Sequence, residues 1–266
     1  MGHPSWFCGW ATHHPRWFDG WATRRIYLAG KFFDWWALWY LSYAMAFATR
    51  TWRLFGALLL VGLVATSVMM LTLAEIHEEI LEPDTVHQDV RIQHEVHEET
   101  ASVLTRVMFG LSWIGSPQVM VPAIPLLAAL LWLRRLHHAA WVLLISTAGA
   151  GVLNTALKLY FRRVRPDLPW AFVQETSFSF PSGHSVFAVV LYGTLMYLGL
   201  RHLRLVRERV AVVVAAMVLI VGIGLSRIYL GVHYPSDVAA GYFVGAVWLS
   251  AVITADWYVR RVEVGG

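Results

Sequence analysis

Lys158-Leu-Tyr-Phe-Arg-Arg-Val-Arg165-Pro166, Phe180-Pro-Ser-Gly-His184 and Ser226-Arg-Ile-Tyr-Leu-Gly-Val-His233-Tyr-Pro-Ser-Asp237 are polar clusters in an otherwise greasy chain. Two long apolar runs, residues 185–200 and 210–225, separate the second cluster from the third. Each cluster stands at an end of an apolar run and not along it. That pattern predicts membrane helices whose ends assemble a polar site at one face of the bilayer.

Composition points the same way. Of 266 residues, 58% are hydrophobic and 14% charged, with mean hydropathy +0.54, whereas soluble domains carry about 25% charged residues. The net charge of +4 is carried by arginines in short loops, where they act as topology signals and need imply no nucleic acid. A single cysteine, Cys8, excludes an internal disulfide.

A hydrocarbon core takes about 20 apolar residues of helix to cross. Stretches 54–73, 119–133, 139–157, 185–200, 210–225 and 238–257 approach this, predicting an all-α, polytopic bundle of six transmembrane helices. The second is short and carries Pro122 and Pro125, so it is expected to bend or to start late. Arg50 with Arg53, Arg134 with Arg135, the group from Arg201 to Arg209, and Arg260 with Arg261 fall on one side of such a bundle. The positive-inside rule makes that side cytoplasmic. The polar clusters then face the periplasm, and the protein is expected in a bacterial inner (plasma) membrane as a multi-pass chain.

Three domains are expected: a Trp-rich extension at 1–53, a six-span domain at 54–259 with its motif-bearing core at 104–257, and a tail at 260–266. Within the extension, His3–His13 and His14–Arg24 are near-copies, too few for a solenoid and read as a local duplication, an interfacial segment or a misassigned start. Residues 75–99 form a hydrophilic insert holding more than half of the chain's 17 acidic residues. It reads as an extracytoplasmic amphipathic helix over the outer ends of the spans, with Ile76, Ile80, Val86, Val90 and Val103 on or near its apolar side. His94-Glu-Val-His97 has helical i,i+3 spacing but is not the His-Glu-x-x-His zinc pattern.

The clusters suggest chemistry. Lys158, Arg165 and Arg227 converge if the spans pack together. Buried cations without carboxylates beside them need an anion, and Arg with Lys suits phosphate. Arg162 and Arg163 read instead as basic residues snorkelling at a helix end. Pro181-Ser182-Gly183-His184 opens a helix, where free N–H groups bind anions. Gly183 allows close approach, Ser182 can donate a further bond, and His184 falls in the first turn. Asp237 can reach back to His233, fix its tautomer and leave the other ring nitrogen to attack. The parts compose a phosphoryl transfer: His233 as nucleophile, His184 as acid and then base, and Lys158, Arg165, Arg227 and the Ser182 and Gly183 amides on the phosphoryl oxygens. No carboxylate cluster offers a Mg²⁺ site, so no metal and no cofactor are expected.

These clusters resemble, in order and at every fixed position, the three signature motifs of the type 2 phosphatidic acid phosphatase superfamily, which also contains the vanadium haloperoxidases: Lys-x6-Arg-Pro, Pro-Ser-Gly-His and Ser-Arg-x5-His-x3-Asp. The resemblance implies a helical bundle and metal-independent hydrolysis of a lipid phosphate or pyrophosphate through a phosphohistidine. Candidate substrates include undecaprenyl pyrophosphate, phosphatidylglycerophosphate and phosphatidic acid. A lipid phosphotransferase and a non-catalytic phospholipid binder or transporter are the alternatives. Retention of both histidines and Asp237 argues against the binder.

Overall fold

The computed structural model describes residues 82–264 except 174, together with scattered helical positions between 56 and 75. The expected extension at 1–53 and part of the first expected span lie outside the described residues, as do Ile76 and Ile80 of the insert. Among the described residues the regular structure is α-helix and no strand occurs. In chain order the helices are α1 (Pro83–Glu98), α2 (Ser102–Ile114), α3 (Pro117–Leu133), α4 (His137–Phe161), α5 (Gly183–Leu200), α6 (Val206–Tyr229) and α7 (Pro235–Val264).

Four of these, α4 to α7, are long and apolar enough to cross a membrane. A fifth crossing is available if α2 and α3, bent by 48° at their junction, count as one broken span. The second expected span is therefore α3 extended backwards through α2. Its bend does not fall at Pro122 or Pro125, which both sit inside α3. It falls at Gly115-Ser116, because Pro117 lacks an N–H and disfavours helical geometry in the residue before it. Ser116 accordingly has an extended conformation, with φ −79° and ψ 152°.

Helix α5 is the centre of the bundle and packs against α4, α6 and α7. Leu157 and Phe161 of α4, Val186 and Val190 of α5, and Val244 of α7 close one core with Phe180. Gly241 sets the spacing of α5 and α7: a Cβ there would stand 2.7 Å from both the Ser182 carbonyl oxygen and the Ser185 Cβ. Gly241→Val is expected to lower stability in detergent by about 1–3 kcal/mol, the usual range for overpacking, which a thermal unfolding series would measure.

Successive spans alternate in direction, so the bundle has two polar ends. At one, Asp256 of α7 is almost fully buried and accepts bonds from His138 at the start of α4, from Tyr197 at 2.5 Å and Arg201 at 2.9 Å at the end of α5, and from Arg260 at 2.9 Å. The loops bearing Arg134, Arg135 and Arg201 to Arg209 share this end. The motif clusters occupy the other. Polar groups also occur along the spans, contrary to the pattern first inferred. Thr194 donates to Ser146 at 3.1 Å between α5 and α4, and both side chains are fully buried. Such hydroxyls are tolerated because they bond to each other and to helix carbonyls.

Helix α1 lies against α6 and α7. Its buried face differs from the expected one: Val86 and Val90 are half-buried, while Asp89 (4% exposed) and Gln93 (0%) are the residues turned fully inward. A polar face can be buried here because Asp89 accepts bonds from Ser236 at the start of α7 and Gln93 donates to the His233 carbonyl in the turn before it. His94 and His97 pack on Trp170, with His97 stacked at a centroid distance of 4.1 Å. Helix α7 continues through residues 260–264, where a separate tail was expected.

Candidate active site

The start of α3, the end of α4, the start of α5, the loop between α4 and α5 and the turn between α6 and α7 line one cavity of about 290 Å³. Its polar wall includes Lys158, Arg165, Gly183, His184 and His233, and its apolar wall includes Met120, Val121, Ile124 and Phe187. Each polar side chain is delivered by a local feature of the sequence. Lys158 stands in the last turn of α4 and donates to the Phe178 carbonyl. Arg162 then takes a left-handed conformation with φ 48° and ends the helix. Beyond it Val164 faces out, 79% exposed, and Arg165 turns in.

His184 lies in the first turn of α5, whose N-cap is Ser182. Ser182 is fully buried, and its hydroxyl finds no hydrogen-bond partner among the described residues. Gly183 leaves room for Asn154, whose amide nitrogen would stand 3.1 Å from a Cβ at that position. Asn154 also lines the cavity and has an unbonded, buried Oδ1. Nothing in its spacing one turn before Lys158 distinguished it from a tolerated polar residue in a span.

His233 sits in the turn between α6 and α7, 1% exposed. Its Nδ1 is 3.3 Å from Asp237 Oδ2, and its Nε2 is 3.1 Å from Arg165 Nη1. A guanidinium can only donate, so Nε2 holds the lone pair and Nδ1 carries the proton toward Asp237. Asp237 is itself fixed by the Tyr234 N–H at 3.0 Å and by Arg163 at 2.7 Å. Burial, then the charges of Arg165, Arg227 and Lys158, push the His233 imidazole well below its ordinary value of 6.5. A lowered pKa keeps the ring neutral above it, and the lone pair is lost only as pH falls through it. We expect kcat/KM, corrected for ionisation of the substrate phosphate, to show no His233 limb at or above pH 6.5. A limb there that shifts with the charge at position 165 would contradict this.

Two acidic residues were missed by reading the motifs alone. Glu175, in the loop between the first two clusters, bridges the arginines: it accepts from Arg165 at 2.7 Å and from Arg227. The expected trio of cations therefore has a carboxylate beside it. Burial opposes ionisation of Glu175, but Arg227 and Arg165 together outweigh it and hold its pKa below the usual range. Asp89, from the insert, accepts from Arg163 at 3.0 Å. Arg163 is 6% exposed and does not snorkel, because it follows the end of α4 and turns into the bundle. Arg162 is exposed as expected, and so is Asp167.

Arg227 (2% exposed) also donates to Ser112 of α2, and its Nε is unbonded among the described residues. Ser182 and Arg227 do not line the cavity themselves, but each has an unbonded buried donor and neighbours a residue that does, Gly183 and Glu175, and such donors suit a tetrahedral oxyanion. The neutral imidazole holds its Nε2 lone pair against Arg165, which lines the same cavity.

The model of the PAP2 superfamily matches residues 139–261, a segment that includes all three clusters. Phosphatidylglycerophosphatase B of Bacillus subtilis is 35% identical over 159 residues, covering 59% of this chain and 78% of that protein. The chain belongs to the PAP2 superfamily. Other proteins similar to it are an undecaprenyl-diphosphatase of Sulfolobus acidocaldarius (31% identity, 61% of this chain and 76% of the relative) and a decaprenylphosphoryl-5-phosphoribose phosphatase of Mycobacterium tuberculosis (36%, 52% and 72%). The crystal structure of a transmembrane PAP2-type phosphatidylglycerolphosphate phosphatase from Bacillus subtilis superposes with a TM-score of 0.66 at 30% identity, covering 73% of this chain and 96% of that one. This PAP2 chain is thus a multi-pass membrane protein whose described residues form an all-helical bundle.

Proposed function

We propose that the cavity hydrolyses a lipid phosphate or diphosphate monoester with His233 as nucleophile. The chain is a membrane lipid phosphatase of the PAP2 type. The observation that carries the site assignment is the convergence of Lys158, Arg165, His184 and His233 on a cavity that also has an apolar side made by Met120, Val121, Ile124 and Phe187. A phosphate head and the first carbons of its chain would meet matching surfaces there.

The substrate phosphate exchanges for the Glu175 carboxylate between Arg165 and Arg227. His233 Nε2 attacks phosphorus in line while Asp237 faces the Nδ1 proton and stabilises the imidazolium that forms. Lys158, Arg165, Arg227 and the amides at the start of α5 hold the equatorial oxygens, where charge builds in the transition state. His184 protonates the departing oxygen, then takes a proton from water as the phosphohistidine is hydrolysed. The apolar wall favours a substrate with phosphate at headgroup depth and its chain in the bilayer. Substrates named for the relatives, phosphatidylglycerophosphate and undecaprenyl diphosphate among them, have that form.

The bundle comprises six spans, the first within 54–73, in a bacterial inner membrane. The arginine-rich end carrying Asp256 faces the cytoplasm and the cavity faces the periplasm, with α1 over its outer end. Cysteine labelling of residues substituted near Arg204 and near Asp167 tests this orientation: a membrane-impermeant reagent is expected to reach the second from outside and not the first.

The purified protein, assayed in EDTA against phosphatidic acid, phosphatidylglycerophosphate and undecaprenyl diphosphate, is expected to release inorganic phosphate from at least one. Phosphate transfer to an added alcohol without release would make it a transferase. Binding without turnover of any of them would make it a carrier.

A further inference from the structure

Helix α1 lies outside all three clusters, yet it reaches the turn that carries the nucleophile. We propose that Asp89 and Gln93 of α1 are positioning residues for His233: Gln93 holds its backbone, and Asp89 acts through Arg163 on Asp237. The inference rests on the assignment of His233 and Asp237 made above.

The contacts run in one connected chain. Gln93 is 0% exposed, and its Nε2 donates to the His233 carbonyl at 3.0 Å. Asp89 Oδ1 accepts the Ser236 N–H at 3.0 Å, and its Oδ2 accepts the Ser236 hydroxyl at 2.5 Å and Arg163 Nη2 at 3.0 Å. The other terminal nitrogen of Arg163 donates to Ser236 Oγ and to Asp237 Oδ1, each at 2.7 Å. The guanidinium also lies 4.2 Å from the centre of the Tyr234 ring. Residues 233, 234, 236 and 237 are thus held from one side by an arginine from the first cluster and two residues from α1.

Electrostatics gives this set more than a bracing role. Two buried carboxylates, Asp89 and Asp237, share the Arg163 guanidinium, so each limits how much of its positive charge the other meets. Asp237 is the member that faces the imidazole. When Nε2 bonds to phosphorus, the ring becomes positive and the Asp237 carboxylate stabilises it. Without the Asp89 charge, more of the Arg163 charge is turned on Asp237, and the stabilisation of the imidazolium is weakened. Asp89 needs no contact with substrate for this, so its loss falls on turnover and not on phosphate binding, which belongs to Lys158, Arg165 and Arg227.

The test is a double-mutant cycle. Asp89→Asn keeps the shape and an acceptor oxygen but removes the charge. It is expected to lower kcat by about 10- to 100-fold, the range for residues supporting a reactive group, with the dissociation constant for inorganic phosphate changed less than threefold. Asp89→Glu is expected to recover part of the loss. In an Asp237→Asn background, Asp89→Asn is expected to cost less than threefold more, because its route to the ring is already cut. An equal loss in both backgrounds, a kcat within twofold of the parent enzyme, or a loss shared equally by phosphate binding would overturn the proposal. Should Asp89→Asn fail to fold, Gln93→Met, which leaves every charge in place, carries the test through the other contact. It is expected to lower kcat by about three- to tenfold at unchanged phosphate affinity, and an unchanged kcat overturns the proposal. His233→Ala run in parallel separates the two levels. If it stays active, the nucleophile assignment and this inference fall together. If it is dead while both α1 variants match the parent, only this inference fails.

Discussion

His233→Ala is expected to lower lipid phosphate turnover on the order of 10⁴-fold or more, the scale seen when a covalent nucleophile is removed, while inorganic phosphate still binds. The separation follows from the geometry. His233 contributes one lone pair to the cavity, held in place by Asp237 on one ring nitrogen and Arg165 on the other. The charges proposed to attract an oxyanion sit on Lys158, Arg165 and Arg227, none of which the substitution removes. Truncation does leave Asp237 and Arg165 each without one contact, but both keep others: Asp237 to Arg163 and the Tyr234 N–H, and Arg165 to Ser177 and the Val232 carbonyl. Calorimetric titration with phosphate and a turnover assay on the same preparation check both halves. Substantial turnover by the variant would remove His233 from the chemistry.

Arg227→Ala is expected to act differently, reducing turnover by about 10²- to 10³-fold, the cost of losing one preorganised donor, and weakening phosphate binding as well. Arg227 is nearly fully buried at the end of α6, with one terminal nitrogen on Ser112 and the other on Glu175. Its removal takes a charge out of a low-dielectric site and leaves Glu175 paired with Arg165 alone, a poorer competitor for phosphate but also one fewer cation to replace it. Arg227→Lys restores charge without the planar fork and is expected to recover only part of the loss. Phosphate affinity equal to that of the parent protein would place Arg227 outside the anion site.

Much of this was legible in the chain. The spans that became α4 to α7 are long apolar runs, and composition alone assigns them. The three clusters announced themselves because polar residues at helix ends stand out against such runs. Asp237 could be tied to His233 because their separation of four residues across a helix start has only a few geometries. The residues that escaped share a different trait: their partners are distant in sequence. Glu175 is an unremarkable acid in a loop until that loop folds over Arg165 and Arg227. Asp89 and Gln93 looked like part of a solvated face, since α1 has an acidic composition and only the fold shows its polar side pressed on residues 233–237. Arg163 was misread for a related reason. One residue past a helix end, a basic side chain can turn to lipid headgroups or inward, and the carboxylates that draw it inward lie 74 residues away on either side. The bend at Gly115-Ser116 was looked for at the wrong prolines: Pro122 and Pro125 fit within a helix already started, whereas Pro117 starts one.

The covalent intermediate decides the matter most directly. The protein would be mixed with a lipid phosphate labelled on phosphorus, stopped in alkali within one turnover, digested, and the labelled peptide sequenced. The account predicts an alkali-stable, acid-labile phosphoryl group on His233, absent from His233→Ala. Label on another residue, or full turnover with no labelled protein at any time, would contradict it.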